Sequence, residues 1–293
     1  MSLTSSFGLD PEIEAQLRAI GPVFRPETVE FSRNLFAGRA DPSLPEGGSR
    51  VDDVAYGDDA RHKLDIVSPA GGPAPVVLFI PGGGMTGGDK AFYAHIPASF
   101  ARRGFVGVAM NYRLAPQHLF PAGAEDVALA IDWLHRNIEG FGGDREAIFV
   151  LGQSAGAIHA ASALFDQRFQ PKAVSSIQAA MLMSGVYKIT PDHDEPKMNL
   201  YFGNDARALV DRSPCNHVDE STVPVMLSVA ELEPGLFGVS AAALMEALSR
   251  RDRCAPQITW LRGHNHLSPV LNMGGPGDTL GAVIAEAFRA RLR

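Results

Sequence analysis

The chain has 293 residues, of which 45% are hydrophobic and 20% charged, with a formal net charge of −7 and a pI near 5.7. That mix suits a folded enzyme rather than a disordered or fibrous chain, and the acidic balance argues against a nucleic-acid or anionic-membrane surface, which needs a basic patch. Cys215 and Cys254 stand far apart in no metal-like spacing, residues 1–7 lack a basic-then-apolar leader pattern, and no run nears membrane-span length, so a cytoplasmic protein without disulfides is expected.

Residues 10–39 have a helical pattern. Ile13, Leu17 and Ile20 recur at helical spacing, Pro11 suits a first turn, and Gly21 can end a helix. Proline and glycine make residues 40–50 a linker. Two strand-like runs, 51–56 and 62–67, flank Gly57-Asp58-Asp59 as a hairpin. The apolar runs 76–80 and 105–110 suit strands covered on both faces by helices.

Strands and helices then alternate. A helix over 124–137 carries Val127, Ala130, Ile131 and Leu134 on one face; a strand over 147–151, a helix and a strand over 179–183 follow. The remainder reads as strand 223–229, helix 239–250, strand 257–261 and closing helix 279–291. This alternation predicts one α/β domain over 1–293 with a doubly wound, mostly parallel sheet. The irregular section 187–222, with residues 1–45, is expected to form a small cap at the C-terminal strand ends, where open sheets bind ligands. The closing helix is the candidate surface for a homodimer.

Gly152-Gln153-Ser154-Ala155-Gly156 lies between the strand 147–151 and a small-residue helix start. A G-x-S-x-G pentapeptide in that setting is a nucleophile elbow, which exposes the serine hydroxyl above the sheet. An attacking serine needs a base, a carboxylate to orient that base, and donors for the oxyanion. Of the later histidines, His159 should point into helix packing, and His193 and His217 fall in the cap. His264 and His266 follow the last strand, and His266 is preferred.

The acid should end the preceding strand, where Glu231 and Glu233 are candidates. One residue apart, they are expected to point to opposite sides, so that only one faces the histidine; Glu233 is chosen, with Glu231 in reserve. Pro81-Gly82-Gly83-Gly84 follows a central strand, so backbone N–H groups of Gly83 and Gly84, with that of Ala155, are the expected oxyanion donors. Met85, Tyr201, Phe202 and Phe237 are candidates for an apolar substrate lining.

These motifs resemble the hormone-sensitive-lipase-like carboxylesterase group of the α/β-hydrolases, over roughly residues 50–293. The likeness rests on Asn111-Tyr112-Arg113-Leu114-Ala115-Pro116, Phe120-Pro121-Ala122, Glu125-Asp126-Val127, Gly142-Gly143-Asp144 and the elbow. Gly87-Gly88-Asp89-Lys90 and Asn265-His266 resemble the kynurenine-formamidase-like branch. The chain departs from the group's pattern twice: Glu233-Pro234 replaces an Asp-Pro pair, and Pro81 stands where a loop-bracing histidine is usual. Tyr112, Arg113 and Asp126 read as structural.

The resemblance implies an α/β-hydrolase fold and a serine hydrolase of short-chain or compact aryl esters, working through a Ser154 acyl-enzyme. No cofactor or metal is expected, and the partner is a small ester or formamide. The alternatives are an arylformamidase and, from another class, a small-molecule receptor that binds without turnover.

Overall fold

The apolar runs of the sequence are central strands whose alternate residues feed two separate cores. The computed structural model describes residues 7–191 and 196–292; His193 and residues 1–6 of the expected cap lie outside them. The strands are β1 (Ser49–Ala55), β2 (Lys63–Ser68), β3 (Ala74–Ile80), β4 (Val106–Met110), β5 (Gly143–Gln153), β6 (Ile177–Met183), β7 (Val225–Leu232) and β8 (Gln257–Asn265). They form one eight-stranded sheet in the order β1-β2-β4-β3-β5-β6-β7-β8. The hairpin β1–β2 and the pair β2–β4 are antiparallel. From β4 onward every pairing is parallel.

The helices are α1 (Pro11–Ile20), α2 (Pro26–Leu35), α3 (His95–Arg102), α4 (Ala122–Asn137), α5 (Ala155–Phe165), α6 (Pro196–Phe202), α7 (Ala206–Asp211), α8 (Gly235–Asp252), α9 (Ser268–Asn272) and α10 (Leu280–Arg289). Val76, Leu78, Ile80, Ile148 and Val150 pack with Ile131 and Leu134 of α4, Leu164 of α5 and Leu244 of α8. Their neighbours Val77, Phe79, Phe149 and Leu151 face the other way, against Ile96 and Phe100 of α3 and Ile284 and Phe288 of α10. A period of two thus produces both cores. The apolar face of α10 is buried within the chain, where Phe288 stacks on Phe149 with ring centroids 4.5 Å apart.

Several boundaries differ from the sequence expectation. The helical stretch 10–39 is two helices, because Gly21 takes φ 73° and ends the first. Strand β8 runs to Asn265, so His264 lies on the strand and His266 immediately follows it. The section 187–222 contributes α6 and α7, whose Met198, Tyr201, Phe202 and Leu209 pack around Met85, Ile158 and Phe237 at the C-terminal strand ends. Cys215 is buried and Cys254 exposed, and both are free thiols. Among the described residues no helix is long and apolar enough to cross a membrane.

Candidate active site

The elbow is forced by close backbone approach. A β-carbon on Gly156 would lie 2.1 Å from the carbonyl oxygen of Ile80, and one on Gly152 would lie 2.8 Å from Cα of Ala157. Ser154 between them takes φ 54° and ψ −121°, a conformation that L side chains rarely adopt. Such strain costs on the order of 1–3 kcal/mol and persists only where the surroundings enforce it. Ala155 opens α5, so its N–H has no acceptor within the helix.

Ser154 Oγ lies 2.8 Å from Nε2 of His266, whose Nδ1 lies 2.8 Å from Oε2 of Glu233. His266 and Glu233 are 3% and 6% exposed, so little water competes for these bonds. The other Glu233 oxygen accepts the N–H of Ala230 at 3.0 Å, which fixes the carboxylate's orientation. The imidazole is flanked by aromatic rings. Phe237 stacks on it at 4.2 Å and Phe24 meets it edge-on at 4.5 Å.

Glu231 and Glu233 do separate, but not through strand alternation, since residues two apart in a regular strand share a face. The β7–β8 register shifts between Ala230 and Leu232, and the strand ends at Leu232. Glu231 turns to Arg18 of α1, which donates to its two oxygens at 3.2 and 2.8 Å, and it accepts the N–H of Gly263 at 2.7 Å. The Arg18 guanidinium holds the Glu231 carboxyl below its ordinary range, aided by the Gly263 N–H. His264 Nδ1 lies 2.9 Å from Ser268 Oγ and is not bonded to Ser154. Asn265 accepts the N–H groups of Leu267 and Ser268 and donates to Ser32 of α2 at 2.8 Å. Both N-terminal helices therefore tether the segment that carries His266.

The glycine loop doubles back on itself. A β-carbon on Gly83 would lie 2.0 Å from the Gly87 carbonyl oxygen, and one on Gly88 would lie 2.2 Å from that of Gly82. Tyr112 donates its hydroxyl to the Pro81 carbonyl at 2.9 Å, so a tyrosine braces this loop despite the proline. Asn111 receives the N–H of Lys90 at 2.7 Å and donates to Asp89 at 2.9 Å, while the Lys90 ammonium reaches Asp65 and Asp53. Asp126 accepts from the backbone and side chain of Arg113. These contacts give the Asn111 to Asp126 segment its structural work.

The cavity above Ser154 has a volume of about 860 Å³, and its lining includes Gly82, Gly83, Gly84, Gln153, Ser154, Ala155 and His266. Met85 and Phe237 are among the residues that line it. Tyr201 and Phe202 are not: Tyr201 accepts the N–H of Gly123 at 2.9 Å, and both rings pack on Phe120 behind the wall. Gln153 and Phe24 escaped the sequence analysis. Gln153 is 1% exposed and donates to the His266 carbonyl at 3.1 Å. Its position beside Ser154 was the available signal; nothing in the sequence ties Phe24 to His266.

His159 is buried between the rings of Tyr112 and Tyr201, and burial pushes its pKa down to about 4. Asp166, His217 and Glu220 bring possible metal-ligand atoms within 4.8 Å of one another. Arg168 already clasps Asp166, and both His217 nitrogens are engaged, by Glu220 and the Asp211 carbonyl. That donor set is neutralised as an ion-pair network and does not fit an added cation.

A doubly wound sheet with a strained serine at the end of its central strand is an α/β-hydrolase fold, and solved structures share it. Esterase B from Lactobacillus rhamnosis superposes with a TM-score of 0.73 at 20% identity, covering 97% of this chain and 96% of that one. An esterase from Pyrobaculum calidifontis gives a TM-score of 0.74 at 21% identity, covering 97% and 99%. The family model BD-FAE matches residues 64–235, more than half of the chain, and the chain belongs to that family.

Among curated relatives, the probable carboxylic ester hydrolase LipM of Mycobacterium tuberculosis is 38% identical over 150 residues, 47% of this chain and 35% of LipM. Esterase LipQ of the same organism is 30% identical over 235 residues, 72% of this chain and 55% of LipQ. The isoprenylcysteine alpha-carbonyl methylesterase ICME of Arabidopsis thaliana is 34% identical over 145 residues, 46% of this chain and 34% of ICME. The matched segments span at most 55% of these relatives' own lengths.

Proposed function

We propose that the chain is a serine hydrolase of carboxylic esters, working through an acyl-enzyme on Ser154. The observation that carries this is the unbroken series Ser154 Oγ, His266 and Glu233, with both links at 2.8 Å. Relatives described as ester hydrolases over parts of their length support the same chemistry.

His266 Nε2 takes the Ser154 proton as Oγ bonds to the acyl carbon, and the carbonyl electrons move onto oxygen. Gly83, Gly84 and Ala155 offer N–H groups to that oxyanion; each such donor contributes about 3–4 kcal/mol of transition-state stabilisation. Glu233 holds the proton on Nδ1 and stabilises the imidazolium. His266 then returns its proton to the departing alkoxide, the C–O bond breaks, and the alcohol leaves. Water repeats the cycle on the acyl-enzyme and releases the carboxylic acid. Phe24 and Phe237 keep bulk water off the imidazole, and a cavity of about 860 Å³ suits compact short-chain or aryl esters.

The test combines covalent labelling by a fluorophosphonate with hydrolysis of 4-nitrophenyl butyrate. The native chain should do both, and Ser154→Ala should do neither while melting at a similar temperature or higher. Labelling that persists in Ser154→Ala would mean a different nucleophile. Faster turnover of N-formylkynurenine than of any ester would replace the ester with a formyl amide.

A further inference from the structure

The cavity's lining is mixed in its chemistry. Met85, Ile158, Val186, Met198, Leu236 and Phe237 are its apolar side chains. Among the described residues the lining also holds Arg25, Arg33 and Lys197 against a single acid, Glu30, in a chain whose formal net charge is −7. None of these four side chains forms an ion pair with another described residue. Other arginines of this chain, such as Arg18, Arg50, Arg113, Arg168 and Arg251, are held in ion pairs.

The cations are placed, not scattered. Arg25, Val29 and Arg33 recur every four residues, so the start of α2 and the helix itself present them on one face toward the cavity. Arg33 stands where this cavity adjoins a second, smaller one: it hydrogen-bonds Tyr93, which lines both, and its guanidinium lies 4.8 Å over the Phe92 ring, which lines only the second. Lys197 approaches the reacting end. Its Nζ lies 3.6 Å from the place a β-carbon on Gly84 would occupy, and its Cδ lies 2.9 Å from that point. An ammonium therefore stands beside the loop expected to hold the oxyanion, in a cavity that two arginines also line.

Cations that line a cleft focus an electrostatic field into it and raise the local concentration of anions there. Arginine forks match planar oxyanions, and lysine serves as a point charge. Resting on the esterase function above, we propose that the preferred substrate is an ester carrying a second, anionic group of the carboxylate class. Its apolar part lies along Met198 and Phe237, and its charge is received by Lys197, Arg33 and Arg25. The reaction is unchanged: one ester bond breaks, one water is consumed, and the extra carboxylate passes through as a spectator. Those three side chains set specificity and take no part in bond making.

The experiment compares charged esters with uncharged partners of similar length by pH-stat titration on the full chain. Monoethyl adipate against ethyl hexanoate puts the charge on the acyl side; 4-hexanoyloxybutyrate against butyl hexanoate puts it on the alcohol side. At low ionic strength one anionic ester should exceed its neutral partner in kcat/KM by about tenfold or more. That ratio should shrink as salt rises from 0.01 to 0.5 M, because exposed charges are screened. Lys197→Met, Arg33→Met and Arg25→Met, singly and combined, should draw the ratio toward one through KM.

Neutral esters cleaved as well as or better than both anionic ones would overturn the proposal and leave the esterase function standing. A ratio unmoved by the triple substitution would overturn it equally. If no ester of either kind is cleaved and Ser154 takes no phosphonate label, the esterase function itself fails, and the substrate class fails with it.

Discussion

Replacing Glu233 and Glu231 in turn by glutamine separates two acids of the same strand end by their jobs. In Glu233→Gln the new amide fills the same space, and its oxygen still accepts the Ala230 N–H. Its nitrogen, however, donates toward Nδ1 of His266, so the imidazole proton moves to Nε2 and faces Ser154 Oγ. A donor there cannot accept the serine proton. The corresponding carboxylate-to-amide change in serine hydrolases of this geometry costs about four orders of magnitude in kcat, or about 5 kcal/mol.

Glu231→Gln keeps an acceptor for Gly263 but discharges the Arg18 pair, whose side chains are 36% and 29% exposed. A pair so open to solvent contributes at most about 1 kcal/mol. The variant should therefore turn over within about fivefold of the native rate and melt a few degrees lower. The Arg18 ion pair depresses the Glu231 carboxyl in the fold, so its stabilising share is full above the ordinary glutamate range and fades as pH falls through the depressed value. The native advantage over Glu231→Gln should shrink accordingly in acid. Release of 4-nitrophenolate reports the rates, and thermal melts at several pH values report the stabilities. Glu231→Gln losing as much turnover as Glu233→Gln, with its melt unchanged, would refute the assignment, and so would Glu233→Gln keeping more than a tenth of the native rate.

Gly156→Ala places a β-carbon 2.1 Å from the Ile80 carbonyl oxygen, so urea unfolding should show a loss above about 3 kcal/mol or no soluble protein. Gly140→Ala, with nothing within 4 Å of the new atom, should unfold like the native chain, and equal losses in both would mean the elbow is not where the constraint lies. His159→Leu should flatten the acid side of the stability profile. Burial depresses His159 from 6.5 to about 4, so the unfolded chain takes up its proton first and native stability drains away between those values as pH falls. The slope contributed is at most about 1.4 kcal/mol per pH unit. Equal slopes for the two proteins between pH 7 and 5 in urea titrations would show that this imidazole is not neutral in the fold.

Much of the architecture was legible because two periods are written plainly in the chain. The apolar runs at 76–80 and 147–151 are long enough to show both-face burial, and the short glycine bends at Gly152 and Gly156 mark where backbone must touch backbone. The end of β7 was harder. Alternation was the wrong guide to Glu231 and Glu233, because a register shift decides where they point, and a bulge leaves no periodic trace. Tyr201 and Phe202 show a different limit. Aromatic residues in a cap sequence can line a cavity or fill the space behind its wall, and only the three-dimensional position of Phe120 decides. The three cations facing the cavity went unread for the reverse reason: on a helix of mixed charge, exposed Arg25 and Arg33 look like any solvated face.

The N-terminal helices matter to the chemistry in a way their cap position does not convey. Ser32 of α2 binds Asn265, Arg18 of α1 binds Glu231, and Glu231 in turn binds the N–H of Gly263, while Phe24 between the helices rests on the His266 ring. The contacts of Ser32 and Phe24 end directly on the four-residue stretch 263–266, and that of Arg18 reaches it through Glu231. The serine sits on the central strand and needs no such help, since Gly152, Gly156 and the helix behind it leave it one conformation. The histidine follows an edge strand paired only with β7 on one side, where backbone hydrogen bonds are fewest. The sheet therefore fixes Ser154, and the N-terminal helices supply what the sheet edge cannot: a fixed place for His266. Loosening them should lower kcat before it alters KM.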